Sequence, residues 1–344
     1  MTHHNTPLKF LMPGWFAIVM GLCGLALAWH RATPMMGEMA GAGALVLGVL
    51  AAAAALVLAV ASLVRWQRYP KALAEDLNHP VRHVFVAAMP ISLLLLATVA
   101  TVLAGPTWPA KVMWMAGSIW QFAVTVWVLS RWLRPNIGAK DGTPFWPGIT
   151  PALFIPVVGN VVPPLAGVAL GFPEWAAAQF GVGLFLWPVA LTLLAVRLAV
   201  SGMWPERLLP TTFITVAPPA VIGLGALQLG APVLLAWVAW GIGLFFLAWS
   251  AAVFRRAVSQ AFGVPFWAMS FPLAAFSALT LRLAQDASGA FQALSMIVLA
   301  LASLVIAALA LATVKGLRDG SLLAPEPVAA LNLAAAPAQP GANG

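Results

Sequence analysis

Long apolar runs, parted at short intervals by small clusters of charge, set the pattern of this chain. A helix crossing a bilayer core needs roughly 20 apolar residues. Ten runs come near that length, and they predict helices over 11–30, 40–64, 84–104, 110–132, 149–170, 176–199, 211–228, 232–254, 264–284 and 289–315. The connections between them are short, so the pattern reads as five consecutive helical hairpins. Helix 5 is crowded by Pro151, Pro156, Pro163 and Pro164.

A second regularity overlies the first. Pro90, Pro156, Pro218 and Pro272 each lie about six to eight residues inside an odd-numbered run. Proline removes an N–H donor and clashes with the carbonyl four residues back, so it kinks a helix. In lipid, broken backbone is tolerated only against protein or a water-filled cavity. Helix 1 has Pro13 near its start, and Gly21 and Gly24 occupy the expected kink position. Even helices lack internal prolines, apart from Pro188 in helix 6. A repeat of two helices used five times predicts an all-α membrane protein. It suggests five inner odd helices surrounded by five outer even ones, with a pathway through the ring of kinked helices.

Charge then orients the chain. Only 8% of the 344 residues are charged, against about 25% in a soluble domain. Fourteen of seventeen Lys and Arg fall at one set of helix ends: Lys9, Arg65, Arg68, Lys71, Arg82, Arg131, Arg134, Lys140, Arg197, Arg207, Arg255, Arg256, Lys315 and Arg318. Arg31, Lys111 and Arg282 occupy the other. The positive-inside rule places both termini in the cytoplasm, which an even helix number also requires. The chain therefore divides into a cytoplasmic N-terminus over 1–10, a transmembrane domain over 11–318 and a tail over 319–344. The tail is rich in Ala and Pro and reads as disordered and functionally silent. The expected location is the inner or plasma membrane.

Candidate chemistry is sparse, and its absence narrows the function. The net charge of +8 follows from positive-inside asymmetry, and no basic stripe interleaved with aromatics suggests nucleic acid. The lone Cys23 permits no intrachain disulfide and reads as a small packed residue. Every Asp and Glu lies in a loop or near a helix end, so no buried carboxylate offers a proton relay. His30, His79 and His83 read as interfacial. No metal cluster, cofactor motif or paired carboxylates argue for an enzyme. Cations are missing from the helix centres too, which leaves the dipoles of broken helices as the attraction for an anion. Polar residues on odd helices that could line the path are Ser92, Asn160, Thr212, Thr215, Ser270 and Ser277. Each could equally bond the carbonyl four residues back. In helix 9, Phe271 immediately precedes Pro272, and a ring at a kink can dewet a narrow lumen.

Four stretches carry a resemblance. They are Pro13-Gly14-Trp15-Phe16-Ala17-Ile18-Val19-Met20-Gly21-Leu22 with Ala28-Trp29, His79-Pro80-Val81-Arg82, Phe154-Ile155-Pro156-Val157-Val158-Gly159-Asn160, and Phe266-Trp267-Ala268-Met269-Ser270-Phe271-Pro272. In this order along ten helices, the chain resembles the tellurite-resistance and dicarboxylate transporter family, which includes slow anion channels, malate permeases and sulfite exporters. The resemblance implies five hairpins in quasi-fivefold order with inner odd helices lining a central pore, a homotrimer with one pore per subunit, and a gating phenylalanine that maps onto Phe271. The expected function is a gated channel or passive exporter for small inorganic or organic anions. The alternative is a carrier for C4-dicarboxylates or for oxyanions such as tellurite or sulfite. A non-transporting scaffold is disfavoured because the short loops hold no binding module.

Overall fold

The computed structural model describes residues 7–133 and 148–324, apart from the side chain of Trp132. Arg134, Lys140 and most of the expected tail lie outside these residues. Among the described residues, all regular structure is helical. Nine helices are long and apolar enough to cross a membrane: α1 (Pro13–Arg31), α2 (Glu38–Arg68), α3 (Arg82–Ala104), α4 (Trp108–Ser130), α6 (Pro173–Ser201), α7 (Glu206–Gln228), α8 (Val233–Ala251), α9 (Val264–Ala284) and α10 (Gly289–Arg318). Between α4 and α6, the segment Pro151–Gly167, here α5, is apolar but shorter. It alternates between 3₁₀ and α geometry, as Pro151–Leu153, Phe154–Val158, Gly159–Val161 and Pro164–Gly167. Its crowded prolines each remove an α-helical donor, so no uninterrupted α-helix can form.

The other odd segments share one construction. Each opens as 3₁₀ helix and changes to α: Pro13–Phe16 gives way at Ala17, Arg82–Ala87 at Ala88, Glu206–Val216 at Ala217 and Val264–Met269 at Ser270. Pro90, Pro218 and Pro272 fall at the second or third residue of the α part, and Pro156 is the third residue of Phe154–Val158. First-turn N–H groups have no α-helical partner, so proline is tolerated there at little cost. These prolines therefore mark a change of helix type. Gly21 does not: it lies inside the unbroken α part Ala17–Arg31. A Cβ at Gly21 would collide with the Ser270 side chain, its Cβ lying 2.6 Å away. The glycine thus serves close approach of α1 to α9.

Burial separates the two sets. In the most apolar stretch of α1, α3, α7 and α9, between 61% and 94% is buried; in the even helices the share is 22% to 39%. Even helices turn residues such as Leu56, Phe185, Leu234 and Leu304 outward. An exposed apolar face of this extent suits lipid contact. Pro188 interrupts neither the α assignment nor the length of α6. Gly105 and Gly202 close α3 and α6 at φ +80° and +68°, where a Cβ would be strained.

The broken backbone of α5 is held by side chains from the even helices. The Pro156 carbonyl accepts hydrogen bonds from Gln121 Nε2 at 2.9 Å, Thr125 Oγ1 at 2.7 Å and Asn160 Nδ2 at 3.0 Å. Asn160 Nδ2 also donates to Thr125 Oγ1 at 2.8 Å, and Gln179 Nε2 donates to Asn160 Oδ1 at 3.1 Å. Ser118 Oγ donates to Gln179 Oε1 and accepts from Trp175 Nε1. This network joins α4, α5 and α6 and meets the requirement that buried backbone polar groups find partners.

The connections are not all plain loops. Helix Pro70–Asn78 follows α2 and is amphipathic, a feature the apolar pattern does not reveal. Beyond it, His79 Nδ1 accepts from the backbone N–H groups of Val81 and Arg82, both at 3.1 Å, at the start of α3.

Candidate functional site: two cavities and the ring between them

Two cavities lie among the odd segments. The first, about 110 Å³, is lined from every odd segment, for example by Met20, Ile91, Val158, Ile214 and Trp267. The second, about 210 Å³, is lined by residues including Leu27, Leu95, Leu165, Leu224 and Ala275. Among the described residues, no even helix contributes to either lining. Both volumes exceed the roughly 10–15 Å³ that one water requires.

Among the described residues, Phe271 alone lines both cavities. It stands in the first turn of the α part of α9, followed by Pro272. Its ring is only 8% exposed and packs against α1: a Cβ at Gly24 would lie 3.1 Å from Phe271 Cδ2 and 3.1 Å from Ala274 Cβ. The sequence places Phe271 here because 3₁₀ geometry ends at Met269, which rotates the following side chains relative to the preceding turn.

First turns converge on the same space. Ala17, Ala88, Ile155, Ala217 and Phe271 are first or second residues of the α parts of the five odd segments, and all five line the first cavity. At each of these junctions the first α N–H is already bonded to the 3₁₀ turn before it, as Ala17 N–H is to the Gly14 and Trp15 carbonyls and Ser270 N–H to the Trp267 carbonyl, so the helix dipole runs on through the turn and does not start at the cavity.

Cations and amides collect at the two ends. His79, Arg82 and Arg207 line the first cavity on the basic face. His30, Arg31, Thr98 and Gln228 line the second, toward the C-terminal ends of α1 and α7. Mid-depth positions are apolar. In the sequence Arg31 counts only as one of three cations at the less basic face and Gln228 is not singled out, because a charged or amide residue at a helix end is ordinarily just solvated.

The six hydroxyl and amide candidates occupy other places. None is among the residues lining the two cavities. Ser92 Oγ bonds the carbonyls of Ala88 and Phe16 at 2.7 and 3.1 Å. Asn160 serves the α5 network. Thr215 Oγ1 donates to the Thr212 carbonyl at 2.8 Å, which also accepts from Ser250 Oγ of α8. Ser270 Oγ donates to the Trp267 carbonyl at 2.6 Å. Thr212 Oγ1 and Ser277 Oγ are buried and have no hydrogen-bond partner among the described residues. In most of these positions a hydroxyl close to a helical carbonyl finds that carbonyl first.

The described residues hold no group of three or more His, Cys, Asp or Glu able to bind a metal ion. Cys23 is buried in α1. Asp76, on the connecting helix, is buried and paired with Arg65 and Arg82.

A family model described as SLAC1, voltage-dependent anion channel, matches residues 11–314. A sulfite efflux pump, SSU1, of Arthroderma otae is 24% identical over 308 residues, covering 80% of this chain and 82% of the relative. A tellurite resistance protein TehA homolog of Haemophilus influenzae is 24% identical over 286 residues, covering 79% and 81%. An S-type anion channel, SLAH4, of Arabidopsis thaliana is 24% identical over 283 residues, covering 81% and 76%. With the match spanning all ten apolar segments, the chain belongs to the SLAC1 family of voltage-dependent anion channels.

Proposed function

We propose that this membrane protein transports small anions passively, along a path through the two cavities that the Phe271 ring shuts. The observation carrying this reading is that, among the described residues, Phe271 alone lines both spaces. A ring across an apolar constriction expels water and blocks ions without any charge of its own. Cations line the first cavity only at its basic end, so an anion meets no mid-depth charge to bind it tightly, and weak binding suits conduction. Pro90, Pro156, Pro218 and Pro272 belong to the mechanism as the residues beside which each odd segment turns from 3₁₀ to α geometry.

In this reading α5 crosses with the other nine, and the ten segments form five hairpins in quasi-fivefold order with odd segments inside. Their greater burial supports that order. Ser92, Asn160, Thr212, Thr215, Ser270 and Ser277 hold backbone or pack beside the path, while His30, Arg31, His79, Arg82 and Arg207 meet the anion at its ends. The proposal includes both termini on the cytoplasmic side of an inner or plasma membrane, a domain over 11–318, and the homotrimer that the resemblance implies. Reading the tail from 319 as functionally silent remains part of it.

A second reading draws on the cationic residues at both cavities: a carrier for oxyanions or C4-dicarboxylates, which needs a discrete site and alternating access. Anion flux from liposomes containing purified protein separates the two. Chloride, nitrate, sulfite, tellurite and malate are compared, with and without a proton gradient at fixed voltage. A passive path gives flux that follows the anion gradient and survives collapse of the proton gradient. Trans-stimulation or loss of flux without the proton gradient would overturn it.

A further inference from the structure

A third cavity, about 400 Å³, lies on the basic face, lined by Lys9, Arg65, Glu75, Asp76, Arg82 and Arg207 among others. Arg82 and Arg207 also line the first cavity. These two guanidiniums therefore stand where the outer chamber opens into the path.

Arg82 is held by one edge. Asp76 is 1% exposed and shares its carboxylate: Oδ2 accepts from Arg65 Nη2 at 2.6 Å and Oδ1 accepts from Arg82 Nη1 at 2.9 Å. Arg65 is itself anchored, donating to the Lys9 carbonyl at 3.1 Å and the Ala72 carbonyl at 3.3 Å. The connecting helix Pro70–Asn78 thus delivers a fixed carboxylate to the start of α3. The Arg82 Nε is buried and has no acceptor among the described residues. One carboxylate between two guanidiniums leaves positive charge in excess. A guanidinium with one edge pinned and other donors open is preorganised for an anion, because little side-chain freedom is lost on binding.

We propose that Arg82 and Arg207 form a staging site for small inorganic anions at this entrance, and that Asp76 is the positioning residue that aims Arg82 into it. This deepens the passive-pathway reading and rests on it. Charge lining a low-dielectric cleft raises the local counter-ion concentration, so the site governs recruitment and leaves the barrier at Phe271 alone.

The test uses the full chain in planar bilayers, in a Phe271→Ala background, with current measured against chloride concentration on each side. Arg82→Gln should raise the chloride concentration for half-maximal current by roughly tenfold when chloride enters from the basic face. The shift should be several-fold smaller when chloride enters from the opposite face. Arg82→Lys should recover most of the loss, and Arg207→Gln provides a second removal should Arg82→Gln fold poorly. Asp76→Glu keeps the charge but displaces Arg82, so it should shift half-saturation in the same direction with thermal stability retained. An unchanged half-saturation in folded Arg82→Gln and Arg207→Gln would overturn the proposal, as would an equal shift from both faces. If the Phe271→Ala background itself carries no current, the pathway reading fails. The staging site is then decided separately, by whether chloride exchanged for gluconate at constant ionic strength raises the melting temperature of the parent and not of Arg82→Gln.

Discussion

Truncation of Phe271 to alanine tests the reading at its narrowest point. Its ring is 8% exposed and borders a cavity of about 110 Å³ on one side and about 210 Å³ on the other. In a sealed core, Phe→Ala costs about 3–5 kcal/mol, transfer and cavity terms together. Here the vacated volume joins spaces already present, so the cavity term falls away. What remains is the transfer of the ring, at most about 1.5–3 kcal/mol, part of it from close packing on Gly24. The barrier to passage should fall at the same time. Each ~1.4 kcal/mol removed is about a tenfold gain in rate, so basal anion current should rise at least about tenfold if the ring alone holds the path shut. Single-channel or ensemble current in bilayers and thermal unfolding in detergent are measured on the same preparation. Unchanged current together with a stability loss above about 3 kcal/mol would show that Phe271 is an ordinary core residue.

Other outcomes follow from the same geometry. Reporter fusions after Arg256 should behave as cytoplasmic and fusions near Glu174 as external, and a cytoplasmic signal near Glu174 would contradict the hairpin order and with it a crossing α5. Asn160→Ala removes donors to the Pro156 carbonyl and the acceptor of Gln179; it should destabilise the protein by about 1–3 kcal/mol, read by thermal unfolding, and wild-type stability would discount the α5 network. Gly21→Ala drives a methyl into the Ser270 side chain. It should cost about 1–3 kcal/mol through overpacking of α1 on α9, whereas a mere kink-forming glycine would gain stability from alanine in the same denaturation measurement.

Much of the frame is local and so is legible in the chain. A span requires a length of apolar residues, a property of consecutive positions, and nine of the ten expected spans meet it with ends within a few residues. Proline acts on its own turn, so the places where the odd segments change geometry were marked by Pro90, Pro156, Pro218 and Pro272. The exceptions are physical. In α5 the prolines stand too close together for one continuous α-helix, so the segment is shorter and more broken than its apolar length suggested. At Gly21 composition suggested bending where the neighbouring helix instead needed room. Gln121 and Gln179 were visible as amides inside apolar runs, and that was the available signal for the network that holds α5.

What faces the path was not legible, because it depends on helix rotation and on neighbours distant in the chain. A serine or threonine near a helical carbonyl looks the same in sequence whether it turns to that carbonyl or to a lumen; packing around Ser92, Thr215 and Ser270 decided for the carbonyl. Arg82 reads alone as one more interfacial cation, and only folding of Pro70–Asn78 brings Asp76 to it and sets it beside Arg207. Sequence by itself determined that the chain crosses a membrane, where its odd segments break and which ends are basic, since each rests on residues within a few turns. Tertiary structure decided which side chains surround the two cavities and left Phe271 between them, since an enclosed space exists only when five separate segments pack around it.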